Sequence, residues 1–191
     1  MKSLLTIVLL LSFSHSFACS CSEGISIESE FKGTELIFHG NVLDIKLVSL
    51  KEAIDPNLVD SFANRLKKGS HNHTVFEAQT MLEVQLEVCE KISGEFQDEV
   101  ITIYTNRTGA SCGYTFFDLN EEYIIYATSS YSGMLIMNFE ELVGDLLDEK
   151  MYWTYNCTRT DRFTFSHYNT LSRLVEKRKL QFKGIRNFED R

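Results

Sequence analysis

Five cysteines carry most of the chemistry open to this chain of 191 residues, and two of them stand almost together at Cys19-Ser20-Cys21. Just before them lies an apolar leader, from Lys2 through Leu4-Leu5-Thr6-Ile7-Val8-Leu9-Leu10-Leu11 to Ser16-Phe17-Ala18. An early positive charge, an apolar middle and small residues at the third and first positions before a cut form a secretory signal peptide, here residues 1–18. Cleavage after Ala18 makes Cys19 the first residue of the mature chain, with a free α-amino group. An α-amino nitrogen and the carbonyl oxygen of the same residue can together close a five-membered chelate on a metal ion. The thiols offer different chemistry: in an oxidising compartment they form disulfides, and an odd count leaves one over.

The other cysteines are Cys89, Cys112 and Cys157. Their spacing is not that of a zinc site, since no second close pair exists and no His-x-x-x-His accompanies the first. Disulfides are the expected state. No resident metal and no cofactor are expected. The chain holds no His-Glu-x-x-His, no Gly-x-Ser-x-Gly and no phosphate-binding glycine loop, so it is not expected to be an enzyme. Glu121-Glu122 reads as a solvated turn, and His39 as a half-buried histidine with no metal to hold. Three Asn-x-Thr triplets, at Asn72, Asn106 and Asn156, are possible N-glycosylation acceptors if the host is eukaryotic.

Length and charge bound the rest. What remains after the leader has the size of one domain. The formal charge is −8, and losing Lys2 makes it one unit more acidic. An acidic balance argues against nucleic acid as a partner. No second apolar stretch has the length of a membrane span. The mature protein is expected to be a secreted, extracellular monomer. In a bacterium it would be periplasmic, or lipid-anchored through Cys19, although Ser16-Phe17-Ala18 lacks the leucine usual three residues before a lipidated cysteine.

The elements that must position these cysteines are short strands. Glu35 to Ile45 reads as a strand, and Gly40 inside it suggests a bulge or bend. Met81 to Cys89 alternates Leu82, Val84, Leu86 and Val88 with Glu83, Gln85, Glu87 and Cys89, so one face is buried and Cys89 falls on the polar one. Gly94 ends that strand. Further strands are expected over 99–104, 122–127, 134–137 and 151–155. Between strands, Asp55-Pro56 opens a helix with Leu58, Val59, Phe62 and Leu66 on one side, closed by Gly69. His71-Asn72-His73 then reads as a polar loop. A second helical insertion is expected over 139–150, and a last helix from about Ser166, followed by a loose tail over 184–191. Several glycine-broken strands interrupted by helices point to a mainly β, α+β domain over 19–183, a small closed barrel with helices outside.

At this point the pattern resembles the netrin-like module, and within it the tissue inhibitors of metalloproteinases. The matching pieces are Cys19-Ser20-Cys21, Phe38-His39-Gly40-Asn41-Val42, the strand end from Leu86 to Gly94, and Thr105 to Tyr114 with its Ser111-Cys112-Gly113-Tyr114. Tyr123-Ile124-Ile125-Tyr126-Ala127 and Cys157-Thr158-Arg159-Thr160 complete them. They occur in the family's order and cover most of residues 19–175. The resemblance implies an OB-like five-stranded closed β-barrel and the disulfides Cys19–Cys112 and Cys21–Cys157, with Cys89 a free thiol. It also implies inhibition of zinc metalloproteases. Cys19 would chelate the target's catalytic zinc, Ser20 would enter the first primed-side pocket, Cys21 and Ser22 would follow the cleft, and Ala110 and Ser111 would form the neighbouring contact ridge. Glu23 and Gly24 stand where the animal inhibitors commonly carry a proline, and a third bridge and a cysteine-rich second domain are lacking. A netrin-like module can also bind other extracellular proteins without inhibiting a protease, since a fold does not determine a function.

Overall fold

The computed structural model describes residues 26–53, 56–78, 80–108, 112–129 and 151–189. Helix α1, Ile27–Gly33, starts at Ser26, whose hydroxyl accepts from the Ser29 amide at 3.1 Å and so satisfies one of the helix's open donors. Strand β1, Leu36–Ser49, leads into a helical excursion of α2 (Leu50–Ala53), α3 (Pro56–Arg65) and α4 (His71–Ala78). The chain returns as β2, Thr80–Ser93, followed by β3, Val100–Asn106, and β4, Glu122–Ala127. Two short strands, β5 (Tyr152–Trp153) and β6 (Asp161–Arg162), precede the long helix α5, Phe165–Glu189.

These strands form one mixed sheet in the order β5-β3-β2-β1-β4-β6, curled into a half-barrel. Every pairing is antiparallel except β3 with β5, where Ile103 faces Tyr152 and Tyr104 faces Trp153 in parallel. Beyond the named strands, Thr128 and Trp153 exchange two backbone hydrogen bonds of 3.0 and 2.8 Å, tying the residue after β4 to the opposite edge of the sheet. The curl has a local cause in β1. Its register with β2 slips at Ile37/Phe38, at His39/Gly40 and at Val42/Asp44, and each slip bends the strand and adds twist. Gly40 permits the middle slip, because a Cβ there would come within 2.9 Å of the Phe38 ring and 3.0 Å of the Glu87 carbonyl oxygen.

The sheet buries both its faces where β1 and β4 run, and the sequence of β4 shows why. Tyr123, Ile125 and Ala127 point into the concave cluster with Leu36, Phe38, Val84, Leu86, Ile101 and Ile103. Ile124 and Tyr126 point the other way, joining Ile37, Phe31 of α1 and Leu171 of α5. An unbroken apolar run is therefore what this strand requires. Each such buried aliphatic side chain stabilises the fold by about 1.5–3 kcal/mol. In contrast, the middle of β2 is covered on one face, where Val84 and Leu86 are buried and Glu87 and Cys89 exposed.

Three expectations need correction. The sheet has six strands among the described residues, because Asp161–Arg162 adds a short outer strand on β4. His71-Asn72-His73 is not a loop but the start of a helix that runs to Ala78. Ser70 caps it, its hydroxyl accepting from the His73 amide at 3.2 Å and its carbonyl from the Thr74 amide at 3.0 Å, while Phe76 is buried and anchors the turn. The final helix does not stop at Gly184 but runs to Glu189. One glycine within a run of good helix formers costs about 1 kcal/mol, which is not enough to end the helix. The strand expected over 134–137 and the helix expected over 139–150 lie outside the described residues, as does Asp55. No described helix is long and apolar enough to cross a membrane.

Candidate functional site

The parallel pairing of β3 with β5 decides where two of the cysteines go. Both strands run in the same direction side by side, so the loops leaving their C-terminal ends lie next to each other. One loop carries Cys112 and the other Cys157. Their contact is explicit: the Asn156 amide donates to the Cys112 carbonyl oxygen at 2.9 Å. Cys112 and Cys157 are each disulfide-bonded, whereas Cys89 is a free, exposed thiol.

Backbone geometry holds this corner in place. Cys112 has φ +63°, in the left-handed region that a non-glycine residue enters only under constraint. The constraint comes from both neighbours in the loop. The Gly113 amide donates to the Thr108 carbonyl at 2.9 Å, and the Tyr114 amide donates to the Thr105 hydroxyl at 2.8 Å. Gly113 lies against the end of β3 so closely that a Cβ would sit 1.8 Å from the Asn106 carbonyl oxygen. On the other side, Thr158 closes the Cys157 turn, giving its amide and its hydroxyl to the Tyr155 carbonyl at 3.0 and 2.7 Å. The Thr154 amide donates to the Tyr104 carbonyl at 3.0 Å, fastening the start of that turn to β3.

Cys89 is far from this corner. Met81 on β2 pairs with Asn106, and Cys89 lies eight residues further along the same strand, on the order of 25 Å away. Burial and the neighbouring carboxylates of Glu122 and Glu87 push its thiol pKa up, so it is a poor nucleophile where it stands. His39, near it on β1, is half-buried; its Nε2 contacts Glu122 Oε2 at 3.0 Å and its ring stacks on Phe163 with centroids 4.3 Å apart. Glu122 is therefore partnered, not a bare member of a solvated turn. No group of three or more metal-ligating side chains occurs among the described residues.

Cys19, Ser20, Cys21, Ser22, Ala110 and Ser111 lie outside the described residues. Of the three glycosylation triplets, Asn72 falls in the first turn of α4 and Asn156 is half-buried in the Cys157 turn. Asn106 is 1% exposed at the end of β3, under Gly113, so a glycan on it is incompatible with this fold.

A second polar site was not evident from the sequence. Thr158, Arg159, Thr160, Asp161, Thr164, Ser166, His167, Thr170 and Ile27 line an open cleft of about 420 Å³ between the Cys157 turn, the start of α1 and the start of α5. His167 Nε2 contacts the Tyr126 hydroxyl at 2.8 Å, and burial holds the imidazole below its ordinary pKa. Burial pushes the Tyr126 phenol up, so it keeps its proton. Thr160 ties the cleft floor to β4: its hydroxyl accepts from the Tyr126 amide at 2.9 Å and lies 2.6 Å from the Thr154 hydroxyl. The sequence signal was the threonine-rich run Thr158-Arg159-Thr160, which counts toward the family resemblance and carries no site of its own there.

No protein-family model matches the chain, and no curated protein matches it.

Proposed function

We propose that the mature protein is a secreted inhibitor of zinc metalloproteases that acts through its amino terminus. In this reading the α-amino nitrogen and carbonyl oxygen of Cys19 chelate the catalytic zinc of the target. A catalytic zinc has three protein ligands and an open position that normally holds water, and the chelate displaces that water, the enzyme's nucleophile. Ser20, Cys21 and Ser22 extend along the cleft, and Ala110 and Ser111 form the adjoining ridge. An α-amino pKa near 8 keeps the cost of an unprotonated nitrogen small at neutral pH.

The mechanism needs a rigid terminus, because a frayed one would lose ordering entropy on binding. The observation that carries the reading is the corner where the Asn156 amide meets the Cys112 carbonyl at 2.9 Å. There two disulfide-bonded cysteines stand in adjacent loops, held by backbone hydrogen bonds. We assign the bridges as Cys19–Cys112 and Cys21–Cys157, which would fasten a Cys-x-Cys terminus at two points. Each closes a long loop and on the chain-entropy model contributes about 4–5 kcal/mol. We further propose that β1-β2-β3-β5-β4 forms a closed OB-like barrel with β6 added outside. The parallel β3–β5 pairing and the Thr128–Trp153 hydrogen bonds support that closure.

The test is titration of a panel of zinc proteases with the mature protein and with a form carrying one extra alanine before Cys19. Inhibition by the mature form alone is expected, since the added residue removes the α-amino group from the chelate. Equal inhibition by both forms would overturn the mechanism. Inhibition by neither would make the protein a non-inhibitory binding module. Mass analysis of the exported protein should find Cys19 first and unmodified, and non-reducing peptide mapping should find the two stated bridges.

A further inference from the structure

One edge of β1 changes character at Val42. Up to Asn41 the strand lies between β2 and β4. Val42 then makes the last backbone contacts on the β4 side: its amide donates to the Glu121 carbonyl at 3.1 Å, and its carbonyl accepts from the Asn120 amide at 2.9 Å. From Leu43 to Ser49 the only strand beside it, among the described residues, is β2. Along a strand every second residue turns its backbone groups to the same edge. The Ile45 amide donates to Asp44 Oδ1 at 2.9 Å and the Ser49 amide to Glu52 Oε2 at 2.6 Å, so both have side-chain acceptors instead of a neighbouring strand. Ile45, Leu47 and Ser49 are therefore the residues that face the open edge.

Exposed edges in stable monomers usually carry lysine, proline or other devices that discourage pairing. This one carries two exposed leucines, Leu43 at 44% and Leu47 at 55%. The residues between them make the segment complementary to itself. Leu43-Asp44-Ile45-Lys46-Leu47 has the same apolar and charged order from either end, with opposite charges in the mirrored places. Run antiparallel about a two-fold axis at Ile45, Leu43 falls opposite Leu47 of a second copy, Asp44 opposite Lys46, and Ile45 opposite Ile45. Directly opposite side chains share a face and interact. Moving the axis to Asp44 or Lys46 would set like charges against each other, so the charges select one register. Within one chain Lys46 Nζ meets Asp44 Oδ2 at 2.7 Å, and both side chains are exposed. An exposed pair of this kind contributes little, so exchanging it for two pairs across the axis costs little.

We propose that this edge pairs with the same edge of a second copy, forming a reversible two-fold dimer through Leu43 to Leu47. One patch serves both chains, as a two-fold interface requires. The sheet then continues across the axis, from β1 of one chain to β1 of the other. Five residues a side make a small contact, which puts the dissociation constant on the order of 100 µM. Such a dimer replaces the expected monomer at high concentration. It is independent of protease inhibition, since none of these residues belongs to the amino-terminal corner.

The test is sedimentation equilibrium of the full mature chain carrying Cys89→Ser, which removes dimers linked through the free thiol. Over about 10 to 500 µM the average mass should rise reversibly towards that of a dimer, and hydrogen exchange at the Leu47 amide should slow in step. Leu47→Lys changes an exposed side chain and should weaken the dimer about tenfold with the fold intact. Asp44→Lys sets like charges opposite each other and should weaken it by a similar factor. Mixing Asp44→Lys chains with Lys46→Asp chains should restore the dimer, as a heterodimer. Should Lys46→Asp lose its native amide dispersion, the chain carrying both Asp44→Lys and Lys46→Asp takes its place and should pair with itself. A single monomer mass over the whole range would overturn the proposal and give the edge to another strand of the same chain or to an extended segment of another protein. A dimer that Leu47→Lys leaves unchanged would also overturn it, as would folded charge variants that fail to pair.

Discussion

The corner at Cys112 and Cys157 and the cleft beside α5 share the 151–162 segment yet are built differently. The corner is held mainly by backbone: the amides of Gly113, Asn156 and Thr154 find carbonyl acceptors within the two loops and β3, and that of Tyr114 takes the Thr105 hydroxyl. The cleft is held by side chains, with Thr160, Tyr126 and His167 each bonded through a side-chain atom. Backbone hydrogen bonds do not titrate and change little with most substitutions, so the corner should behave alike across a wide pH range. Side-chain bonds to an imidazole do titrate, so the cleft should respond to acid. The same stretch of chain thus supports one rigid, pH-indifferent corner and one adjustable cleft.

The sharpest way to break the corner is Gly113→Ala. The added carbon would overlap the Asn106 carbonyl, 1.8 Å away, and backbone cannot step aside as a flexible side chain can. We expect a loss of about 3 kcal/mol or more, read from the chemical denaturation midpoint. A wild-type midpoint would show that the loop has slack the geometry denies. Next in size is Thr160→Val, which keeps the shape of the side chain but strips the hydroxyl that links β4 to Thr154. Orphaning the buried Tyr126 amide should cost about 1–3 kcal/mol while leaving Cys112 and Cys157 bonded. A loss of bridging in that variant, seen in non-reducing peptide maps, would mean that corner and cleft are not separable.

The smallest effect concerns pH. Burial holds His167 below its ordinary value near 6.5, so the unfolded chain binds a proton in a range where the folded one does not. Stability should therefore be unaffected by this group above about pH 6.5 and fall as pH drops through that value, until the folded pKa is reached. His167→Gln should flatten this part of the stability–pH curve. An unchanged slope in the variant would assign the acid response to other groups.

Much of the strand inventory was legible. The alternation of Leu82, Val84, Leu86 and Val88 located β2 because one face meets the core and the other meets water. Gly40 was legible as a bend because a glycine inside an apolar strand has few other uses, and the register slips beside it. Other features were hidden. His71-Asn72-His73 looked like a loop because two histidines and an asparagine are weak helix formers, and the capping Ser70 with the buried Phe76 outweighed them. β6 was invisible, since two residues, Asp161 and Arg162, have no periodicity to read. Asn106 matched a glycosylation triplet, but burial is not written in a triplet.

The candidate site divides the same way. The sequence alone identifies the five cysteines, the close pair Cys19 and Cys21 after an apolar stretch, and the apolar run of β4. Those are properties of residue type and local spacing, and periodicity or composition reveals them. Only the tertiary structure decided that β3 and β5 run in parallel, that Cys112 and Cys157 therefore meet across adjacent loops, and that Arg159 and His167 share a cleft. Each of these joins residues from strands or loops that the chain order keeps apart, and contacts of that kind are set by packing.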